Sequence, residues 1–255
     1  EIGGETLILT HDMMAEGTHF RVDADMADVA WKLVAANLSD LAAKGAEPVG
    51  VLLGHALGEG DARFLEGLQA ILSDYDVPLL GGDTISADGP RTFGLTAFGR
   101  GTHTPVPSRS GAQIGDAIYV TGTLGSAMLG FEGDSEHLST FNRPVPRLDE
   151  GQALAPHVTA MMDVSDGMLL DAYRMAKASE VTFAIESALA PVASDSRRND
   201  CLRWGDDYEL LFTLPAECQS PIPCTRIGFV ESQGFAPLML DSTSIVNAEG
   251  LGYQH

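Results

Sequence analysis

The sequence predicts a mixed α/β or α+β protein that is divided into two domains. Segments with the apolar spacing of strands and of helices are intermixed in both halves of the 255-residue chain, and this mixture indicates α/β or α+β architecture. Residues 100–115 are rich in Gly, Pro, Ser and Thr, which is the composition of a linker. We therefore expect an N-terminal domain over residues 1–106 and a C-terminal domain over residues 107–255.

The N-terminal half is predicted to contain two helices between short strands. Apolar residues at helical spacing predict one helix over residues 28–44 and a second over residues 62–75. The first strand, residues 6–10, is expected to end directly before His11 and Asp12. Further strands are expected at residues 49–53, 77–80 and 93–99, and the run 77–80 leads into a Gly-Gly-Asp motif.

The C-terminal half is predicted to resume with a strand after the linker. The segment Gly122–Gly125 is expected to open a helix, and a longer helix is predicted over residues 168–178. Two polar segments, 132–142 and 193–199, are predicted to be mobile. Strands are expected at residues 117–121, 159–162, 182–185, 208–213 and 226–230.

The composition excludes several classes of function. The chain carries 36 acidic and 15 basic residues, a formal net charge of −21, and such a surface repels a nucleic-acid backbone. No apolar run approaches the roughly 18 residues of a membrane helix, and no signal peptide is evident. Three cysteines without C-x-x-C spacing indicate a reducing compartment. We therefore expect a cytoplasmic protein with no nucleic-acid or membrane partner.

Five short acidic motifs carry most of the chemical information in the chain. Several of them lie where an apolar segment begins or ends, so a folded scaffold can direct their carboxylates at a shared pocket. Hard divalent cations prefer oxygen ligands, and the pattern therefore predicts Mg²⁺ and, through Mg²⁺, phosphate. The motifs are Thr10-His11-Asp12, Asn37-Leu38-Ser39-Asp40, Gly81-Gly82-Asp83-Thr84, Asp163-Val164-Ser165-Asp166-Gly167 and Gly205-Asp206-Asp207-Tyr208-Glu209.

Two common phosphate-binding motifs do not occur in the sequence. It contains neither G-x-x-x-x-G-K-S/T nor a G-x-G-x-x-G that follows a strand. Lysine occurs only at Lys32, Lys44 and Lys177, so a lysine cluster cannot neutralise a triphosphate. Several Mg²⁺ ions held by carboxylates and substrate phosphates would both bind a nucleotide and stabilise the charge of phosphoryl transfer.

Each motif by itself also has a purely local interpretation. Asp83 could belong to a tight turn, and Ser165 or Asp166 could cap the helix that follows. Asp40 could be a solvated residue near a helix end, and His19 could be structural. The conjunction of the motifs, rather than any one of them, favours a metal and phosphate site.

The ordered motifs resemble those of the thiamine-monophosphate kinase family, which belongs to the superfamily of aminoimidazole ribonucleotide synthetase. The resemblance covers nearly the whole chain, from residue 5 to Gly252–His255. The blocks E-G-x-H-F and G-D-D-Y-E-L-L-F are typical of the kinase rather than of the wider superfamily. The sequence blocks that carry the resemblance are T-H-D-M-M-A-E-G-T-H-F, N-L-S-D-L-A-A-K-G-A-E-P, G-G-D-T, S-R-S-G-A-Q-I-G-D, Y-V-T-G-T-L-G, M-D-V-S-D-G-M-L-L-D and G-D-D-Y-E-L-L-F.

The resemblance implies a reaction and an assembly. The reaction is an ATP-dependent transfer of the γ-phosphoryl group directly onto the phosphate of thiamine monophosphate, with Mg²⁺ ions bridging the phosphates. The product is thiamine diphosphate. The implied assembly is a homodimer in which the N-terminal domain pairs with its copy to form a β-barrel across the interface. The C-terminal domain would be an α+β lobe, and ATP and metals would bind in the cleft between the two domains.

The resemblance also implies roles for individual residues. Asp83 and Asp166 are expected to be catalytic. Asp206 and Asp207 are expected to be structural neighbours of Glu209. The expected ATP contacts are Gly82, Asp83, Arg109 and Ser165, and the expected thiamine monophosphate contacts are His19, Glu209 and Tyr253. The expected metal ligands are Thr10, His11, Asp12, Asp40, Asp83, Asp163 and Asp166.

The chain departs from the family pattern at two places, and two rival interpretations stay open. His11 replaces a threonine of the family's Thr-Thr-Asp motif, and an upstream Gly-Asp-Asp motif is expected to precede Glu1. One rival is another ATP-dependent enzyme of the superfamily, which should lack the two kinase blocks. The other is a non-catalytic acidic Ca²⁺-binding module, which would favour a D-x-D/N-x-D/N-G loop that this sequence does not contain.

Overall fold

The computed structural model of the protein describes residues 4–254, which form two β-sheets together with seven α-helices. The strands are β1 (Leu7–Ala15), β2 (Ala46–Ala56), β3 (Leu79–Ile85), β4 (Thr92–Gly101), β5 (Ala117–Val120), β6 (Ala160–Asp163), β7 (Thr182–Ile185), β8 (Leu210–Leu214), β9 (Thr225–Glu231), β10 (Leu238–Leu240) and β11 (Thr243–Ile245). The helices are α1 (Met26–Ala42), α2 (Asp61–Asp74), α3 (Ser126–Phe131), α4 (Leu138–Asn142), α5 (Leu148–Leu154), α6 (Met168–Ala178) and α7 (Arg198–Cys201). Two short 3-10 helices span Ser187–Leu189 and Asp195–Arg197.

The N-terminal sheet has four strands in the order β1-β4-β2-β3. β4 pairs antiparallel with β1 and β2, whereas β3 runs parallel to β2 because the helix α2 connects them as a crossover. Helix α1 packs on β1 and β4 and also contacts α2. On the opposite face of the sheet, Leu9 and Leu52 are exposed. The sheet therefore has one helix-covered face and one open face.

The C-terminal sheet has seven strands in the order β11-β10-β7-β9-β5-β8-β6. β5 pairs antiparallel with β8 and β9, and β8 pairs antiparallel with β6. In this last pair, Asp163 at the end of β6 lies opposite Leu210 at the start of β8. The register therefore brings the Asp163–Gly167 motif next to the Gly205–Glu209 motif, although the 37 residues 168–204 separate them in the sequence.

One hydrophobic cluster joins the two sheets. Leu38 and Leu41 of α1 are fully buried in it, and the same cluster contains Met161 of β6 and Phe212 of β8. Burial of apolar surface stabilises a fold by about 25 cal/mol per Å², so this cluster stabilises the two halves of the chain together. The domain boundary after residue 106 stays a prediction.

The main helices of the sequence prediction are confirmed. The helix predicted over residues 28–44 is α1, the helix over residues 62–75 is α2, and the helix over residues 168–178 is α6 with the same bounds. These segments were recognisable because each buries an apolar face at helical spacing. The segment Gly122–Gly125 also precedes a helix, α3, as expected.

The predicted end of the first strand is wrong. β1 continues to Ala15 because it pairs with β4 along its whole length. His11 and Asp12 therefore lie within a strand, where successive side chains point to opposite faces. The turn interpretation of the Gly-Gly-Asp-Thr motif is also wrong, because parallel pairing with β2 extends β3 to Ile85.

Other expectations concern the polar segments, the barrel and membrane spans. The segments 132–142 and 193–199 were expected to be mobile, and they contain α4 and the start of α7. The N-terminal sheet, as far as the chain is described, is an open four-stranded sheet rather than a closed barrel. None of the helices within residues 4–254 is long and apolar enough to cross a membrane.

The contact between α1 and α2 depends on a glycine. A Cβ atom placed on Gly67 of α2 would lie 2.1 Å from the carbonyl oxygen of Ala27 and 2.5 Å from its Cα. Both of these atoms belong to the backbone of α1, so no side-chain rotation can relieve the overlap. Gly67 therefore allows the two helices that cover the N-terminal sheet to pack closely.

We expect Gly67→Ala to lower the free energy of unfolding by about 1–3 kcal/mol, because overpacking forces the two helices apart. Gly234→Ala is the matched control, since the nearest atom to its added Cβ, Oγ1 of Thr182, lies at 3.4 Å. Urea unfolding followed by circular dichroism measures both changes. Equal stability of the two variants would contradict the close packing of α1 against α2.

Candidate active site

A cavity of the described structure lies where the N-terminal sheet and α1 meet the C-terminal sheet. Its volume is about 430 Å³, which is large enough for a small organic substrate. Its lining has two chemically different parts. The acidic part consists of Asp12, Asp40, Asp163, Asp166 and Asp206, and the aromatic part consists of Phe131, Phe141, Trp204, Tyr208 and Tyr253.

Strand alternation in β1 decides which residues of the first motif reach this cavity. Asp12 points to the helix-covered face, where its backbone N–H donates to Oδ1 of Asn37 in α1 at 3.2 Å. Thr10 lies on the same face, and its hydroxyl donates to Oδ2 of Asp40. His11 lies on the open face, where Nδ1 is 2.9 Å from the hydroxyl oxygen of Thr96. The structure thus brings Thr10 and Asp12 together with Asp40 and separates His11 from them.

The last turns of α1 connect two of the acidic motifs. The hydroxyl of Ser39 donates to Oδ2 of Asp163 at 2.8 Å, while Asp40, one residue later, contacts Thr10 of β1. Because Ser39 is fully buried in the helix, it holds the end of β6 in a defined position. Helix α1 therefore places the carboxylates of Asp40 and Asp163 near each other.

The carboxylates in this region are crowded and poorly solvated. Burial is the main cause that raises the pKa of Asp12 to about 6, and the neighbouring charge of Asp40 raises it further. Burial and the charge of Asp40 also raise the pKa of Asp163 well above its usual value. Negative charge is therefore concentrated here, and a bound cation would lower the electrostatic energy of these carboxylates.

The turn that carries Ser165 and Asp166 is held by a buried carboxylate that the sequence analysis did not identify. Oδ2 of Asp171 accepts hydrogen bonds from the backbone N–H groups of both residues at 3.1 Å. Arg174 donates to Oδ1 of Asp171 at 3.1 Å and also to Asp166. Burial, followed by the charge of Asp166, raises the pKa of Asp171 to about 7. Asp171 lies within the block M-D-V-S-D-G-M-L-L-D, so its position was available from the sequence.

The segment Gly205–Glu209 has two opposite faces. Asp206 and Tyr208 point into the cavity, and both have a positive backbone φ, 57° and 52°. Asp207 points away and accepts a hydrogen bond from the backbone N–H of Gly125, at 2.9 Å to one oxygen. Asp206 was expected to be a structural neighbour of Glu209, and the local backbone turns its side chain into the cavity.

Glu209 is buried behind this wall rather than exposed on it. Its two carboxylate oxygens accept hydrogen bonds from Arg147, from Nε at 2.9 Å and from Nη2 at 2.7 Å. The hydroxyl of Thr121 donates to the same carboxylate at 2.5 Å. Glu209 is not among the residues that line the cavity, so its contact with thiamine monophosphate stays a prediction.

Five other predicted residues are also absent from the cavity lining: Thr10, His11, Gly82, Asp83 and Arg109. Gly82 and Asp83 lie on β3, whose residues are all exposed, and Oδ1 of Asp83 accepts a hydrogen bond from its neighbour's N–H. Asp83 shares the open face of the sheet with Leu52, because Gly54 of β2 is its partner across the pair. Arg109 is exposed in the linker. The predicted residues that do line the cavity are Asp12, His19, Asp40, Asp163, Ser165, Asp166 and Tyr253.

Lys32 is a further cavity residue that the sequence analysis left without a role. Its Nζ donates to Oδ2 of Asp206 at 2.6 Å and lies 3.8 Å from the centre of the Phe141 ring. The feature of the sequence that could have identified Lys32 is its position among the apolar residues of α1, next to Leu33 on the buried side of the helix. Helical spacing alone does not distinguish a lysine that reaches a site from one that reaches solvent.

The donor set is compatible with Mg²⁺ that is bound together with a phosphate. Within residues 4–254, no three His, Cys, Asp or Glu side chains lie close enough together to hold a metal ion by themselves. Mg²⁺ normally uses only one or two protein carboxylates and takes its other ligands from water and phosphate. Asp12, Asp40 and Asp163 supply such carboxylates, and their crowding supplies the electrostatic reason.

Comparison with known protein families matches both halves of the chain. Residues 1–101 match the N-terminal domain of AIR synthase related proteins, and residues 113–236 match the C-terminal domain of the same proteins. Together the two matches cover most of the chain. They agree with the mixed α/β architecture and the two sheets described above.

Individual proteins give a closer comparison. The chain is 38% identical over 238 residues to thiamine-monophosphate kinase of Escherichia coli (strain K12), a match that covers 83% of this chain and 72% of that protein. The crystal structure of thiamine-monophosphate kinase from Stenotrophomonas maltophilia K279a is similar with a TM-score of 0.87 and 32% identity, over 96% of this chain and 88% of that one. AaThiL complexed with AMPPCP and TMP has a TM-score of 0.88 and 28% identity, over 100% and 89% of the two chains.

The buried carboxyl of Asp207 predicts a pH dependence of stability. Burial raises its folded-state pKa from 3.8 to about 8, so between these values the folded protein holds a proton that the unfolded chain releases. The free energy of unfolding should therefore fall as the pH rises through this window, by up to about 1.4 kcal/mol per pH unit for this group. Asp207→Asn keeps one acceptor oxygen for Gly125 and cannot ionise.

We expect Asp207→Asn to reduce the slope of unfolding free energy against pH between about pH 5 and pH 7. Urea unfolding at several pH values measures the slope for the unaltered protein and for the variant. Asp88→Asn, at an exposed position, is the control for loss of one carboxylate. Identical slopes for the Asp207 variant and the unaltered protein would contradict this prediction.

Proposed function

Because this chain belongs to the thiamine-monophosphate kinase family, we propose that the cavity between its two sheets is the site where the kinase reaction takes place. The chain is an ATP-dependent kinase that phosphorylates thiamine monophosphate to thiamine diphosphate, and its similarity to the E. coli kinase and to the AaThiL complex with AMPPCP and TMP supports this function. The observation that carries the assignment to the cavity is the convergence of acidic motifs from β1, α1, β6 and the 205–209 segment opposite an aromatic wall.

The aromatic wall is chemically suited to the thiamine part of the acceptor. The ring centres of Phe131 and Trp204 are 5.2 Å apart, and those of Phe131 and Phe141 are 5.4 Å apart. Aromatic faces attract cations such as the thiazolium ring, and they also bury flat heterocycles. Tyr253, a predicted thiamine monophosphate contact, lines the same cavity. We therefore place the heterocycles of the acceptor on this side and its phosphate toward the carboxylates.

The carboxylates of Asp12, Asp40, Asp163 and Asp166 are the proposed metal ligands in the cavity. Mg²⁺ held there would neutralise phosphate charge and stabilise the charge that develops during phosphoryl transfer. The protein positions these oxygens by hydrogen bonds, such as the one that the hydroxyl of Ser39 donates to Asp163. Asp171 and Arg174 act in the same way on the turn that carries Asp166.

No general base is required by this proposal. The attacking atom is a phosphate oxygen of thiamine monophosphate, which is largely ionised near neutral pH. Positioning of the two phosphates and neutralisation of their repulsion then account for catalysis. Ser165 lines the cavity and is the proposed ATP contact inside it. Gly82, Asp83 and Arg109 remain proposed ATP contacts on the surface outside it.

We also propose that the protein is a homodimer whose N-terminal sheets pair to form a barrel. The open face of the sheet exposes apolar side chains on three strands, with Leu9 at 61%, Leu52 at 37% and Ile85 at 54%. Large exposed apolar patches mark interaction surfaces. A second copy of the chain is the proposed partner because the resemblance implies this pairing, and both edge strands, β1 and β3, border the same face.

The cytoplasm is the proposed location of this kinase. Cys201, Cys218 and Cys224 are all free thiols in the structure. Free thiols are typical of proteins in reducing compartments, where disulfide bonds are rare.

Kinase activity is tested by measuring ADP formation with ATP, Mg²⁺ and thiamine monophosphate. We expect turnover with thiamine monophosphate, none with free thiamine, and loss of turnover when EDTA removes the metal. Asp166→Ala and Asp83→Ala should each lower kcat/KM by at least about 100-fold, since each removes a proposed contact to metal or ATP. Asp88→Ala, at an exposed position, is the control. Near-native activity of the Asp166 variant would overturn the assignment of the cavity.

The proposed dimer is tested by placing charge on the open face of the sheet. We expect Leu9→Asp and Leu52→Asp to shift the protein from dimer to monomer, because each buries a carboxylate in an apolar interface. Phe235→Asp is the control, since Phe235 is 90% exposed in the C-terminal domain. Sedimentation velocity gives the mass of each species. A monomeric unaltered protein, or dimeric Leu9 and Leu52 variants, would count against the proposed interface.

A further inference from the structure

Lys32 is a buried cation in the wall of the cavity. It lies on α1 and is only 4% exposed. Its Nζ donates to Oδ2 of Asp206 at 2.6 Å, and it also lies 3.8 Å from the centre of the Phe141 ring. A buried ammonium group needs such partners because removal from water is costly. Lys32 therefore connects α1, α4 and the 205–209 segment at one point.

The charge of Lys32 is unusual for its position. Among the described residues that line the cavity, Lys32 is the one lysine, and arginine does not occur in that lining. The same lining contains five aspartates, so a single fixed positive charge faces a strongly acidic surface. Lys32 also lines a second cavity of about 360 Å³. Phe131 and Phe141 line both cavities as well. The cation therefore lies where the aromatic wall meets the acidic part of the lining, in contact with both Phe141 and Asp206.

The pair formed by Lys32 and Asp206 leaves donor capacity for a ligand. An ammonium group has three N–H donors, and the hydrogen bond to Asp206 uses one of them. Asp206 is the more accessible partner, with 34% of its side chain exposed against 5% for Lys32. Asp206 has a second contact as well, because the hydroxyl of Tyr208 donates to its Oδ1 at 3.1 Å. A phosphate could therefore bind Lys32 without removing the only partner of Asp206.

We propose that Lys32 binds the phosphate of thiamine monophosphate and thereby distinguishes this acceptor from free thiamine. The proposal rests on the proposed function, because it assigns the acceptor to this cavity. The acceptor is favoured over ATP because Lys32 lies beside the aromatic wall, whereas Gly82, Asp83 and Arg109 lie outside the cavity. A charged N–H donor to a phosphate oxygen forms a strong hydrogen bond. Lys32 then supplies a positive charge in a lining whose other charged side chains are aspartates.

A purely structural role for the ion pair makes a different prediction. If Lys32 and Asp206 only join α1 to the 205–209 segment, removal of either partner breaks the same contact and has the same effect. If Lys32 binds the acceptor phosphate, Asp206 competes with that phosphate for the ammonium group. Loss of Lys32 then weakens recognition of the phosphate, whereas loss of the Asp206 charge does not weaken it.

The two variants are Lys32→Met and Asp206→Asn. Met keeps the length and apolar stem of the lysine next to Phe141, and Asn keeps an acceptor for Tyr208. Isothermal titration with thiamine monophosphate and with thiamine, without ATP and with EDTA present, gives the preference for the phosphorylated ligand as a ratio of dissociation constants. We expect Lys32→Met to lower this ratio by about 10- to 100-fold, the value of a hydrogen bond to a charged group. We expect Asp206→Asn to keep the ratio or raise it by about two- to fivefold.

Steady-state kinetics provides a second readout. Lys32→Met should raise the KM for thiamine monophosphate and leave the KM for ATP within about twofold, because only the acceptor contact is removed. Lys32→Arg keeps a charged donor and should recover part of the preference. Thermal unfolding of each variant identifies any loss of folding, and Asp206→Asn keeps the test decisive if the methionine variant is unstable.

The outcomes separate this inference from the proposed function. Turnover of thiamine monophosphate by the unaltered protein tests the function by itself. If that turnover is observed and Lys32→Met keeps the full preference for the phosphorylated ligand, the inference is overturned while the function stands. Equal losses of preference in Lys32→Met and Asp206→Asn also overturn it in favour of the structural role. An unaltered protein that neither binds nor phosphorylates thiamine monophosphate overturns both.

Discussion

The concentration of carboxylates at the junction of the two sheets is the constraint on which the rest of the structure depends. Burial, followed by the charge of Asp40, raises the pKa of both Asp12 and Asp163. Neutral donors hold two of them, because the hydroxyl of Thr10 donates to Asp40 and the hydroxyl of Ser39 donates to Asp163. Neutral hydrogen bonds satisfy the oxygens without cancelling their charge. The site therefore keeps a negative potential that a divalent cation and a cationic substrate ring can use.

The scaffold maintains this arrangement by burying the opposite sides of the same elements. Helix α1 contributes its apolar residues to the cluster shared by both sheets, and its last turns contact β1 and β6. The 205–209 segment is held in the same way. Asp207 accepts a hydrogen bond from Gly125, and Glu209 accepts hydrogen bonds from Thr121 and Arg147. The other face of the segment lines the cavity. Asp163 and Asp206 thus have buried support behind them, which limits their movement.

Local pattern predicted the elements that bury one face, and long-range pairing decided the rest. Helices α1, α2 and α6 were recognisable because their apolar spacing is independent of the partner that covers it. The end of β1 and the extended form of Gly81–Thr84 were not recognisable. Both depend on pairing with β4 or β2, strands that are distant in sequence. Lys32 illustrates the same limit within the site, since its partner Asp206 lies 174 residues later in the chain.

The sequence by itself determined the chemistry and the family: a set of acidic motifs, the scarcity of lysine, and the ordered blocks shared with thiamine-monophosphate kinases. Only the tertiary structure decided which member of each motif faces the cavity. In Thr10-His11-Asp12 the strand alternation sends His11 to the open face of the sheet. In the 205–209 segment, the backbone bonds of Asp206 and Tyr208 to Ser165 and Val164 direct both side chains into the cavity and leave Glu209 behind the wall. Side-chain direction depends on register against a distant strand, and motif spacing does not encode that register.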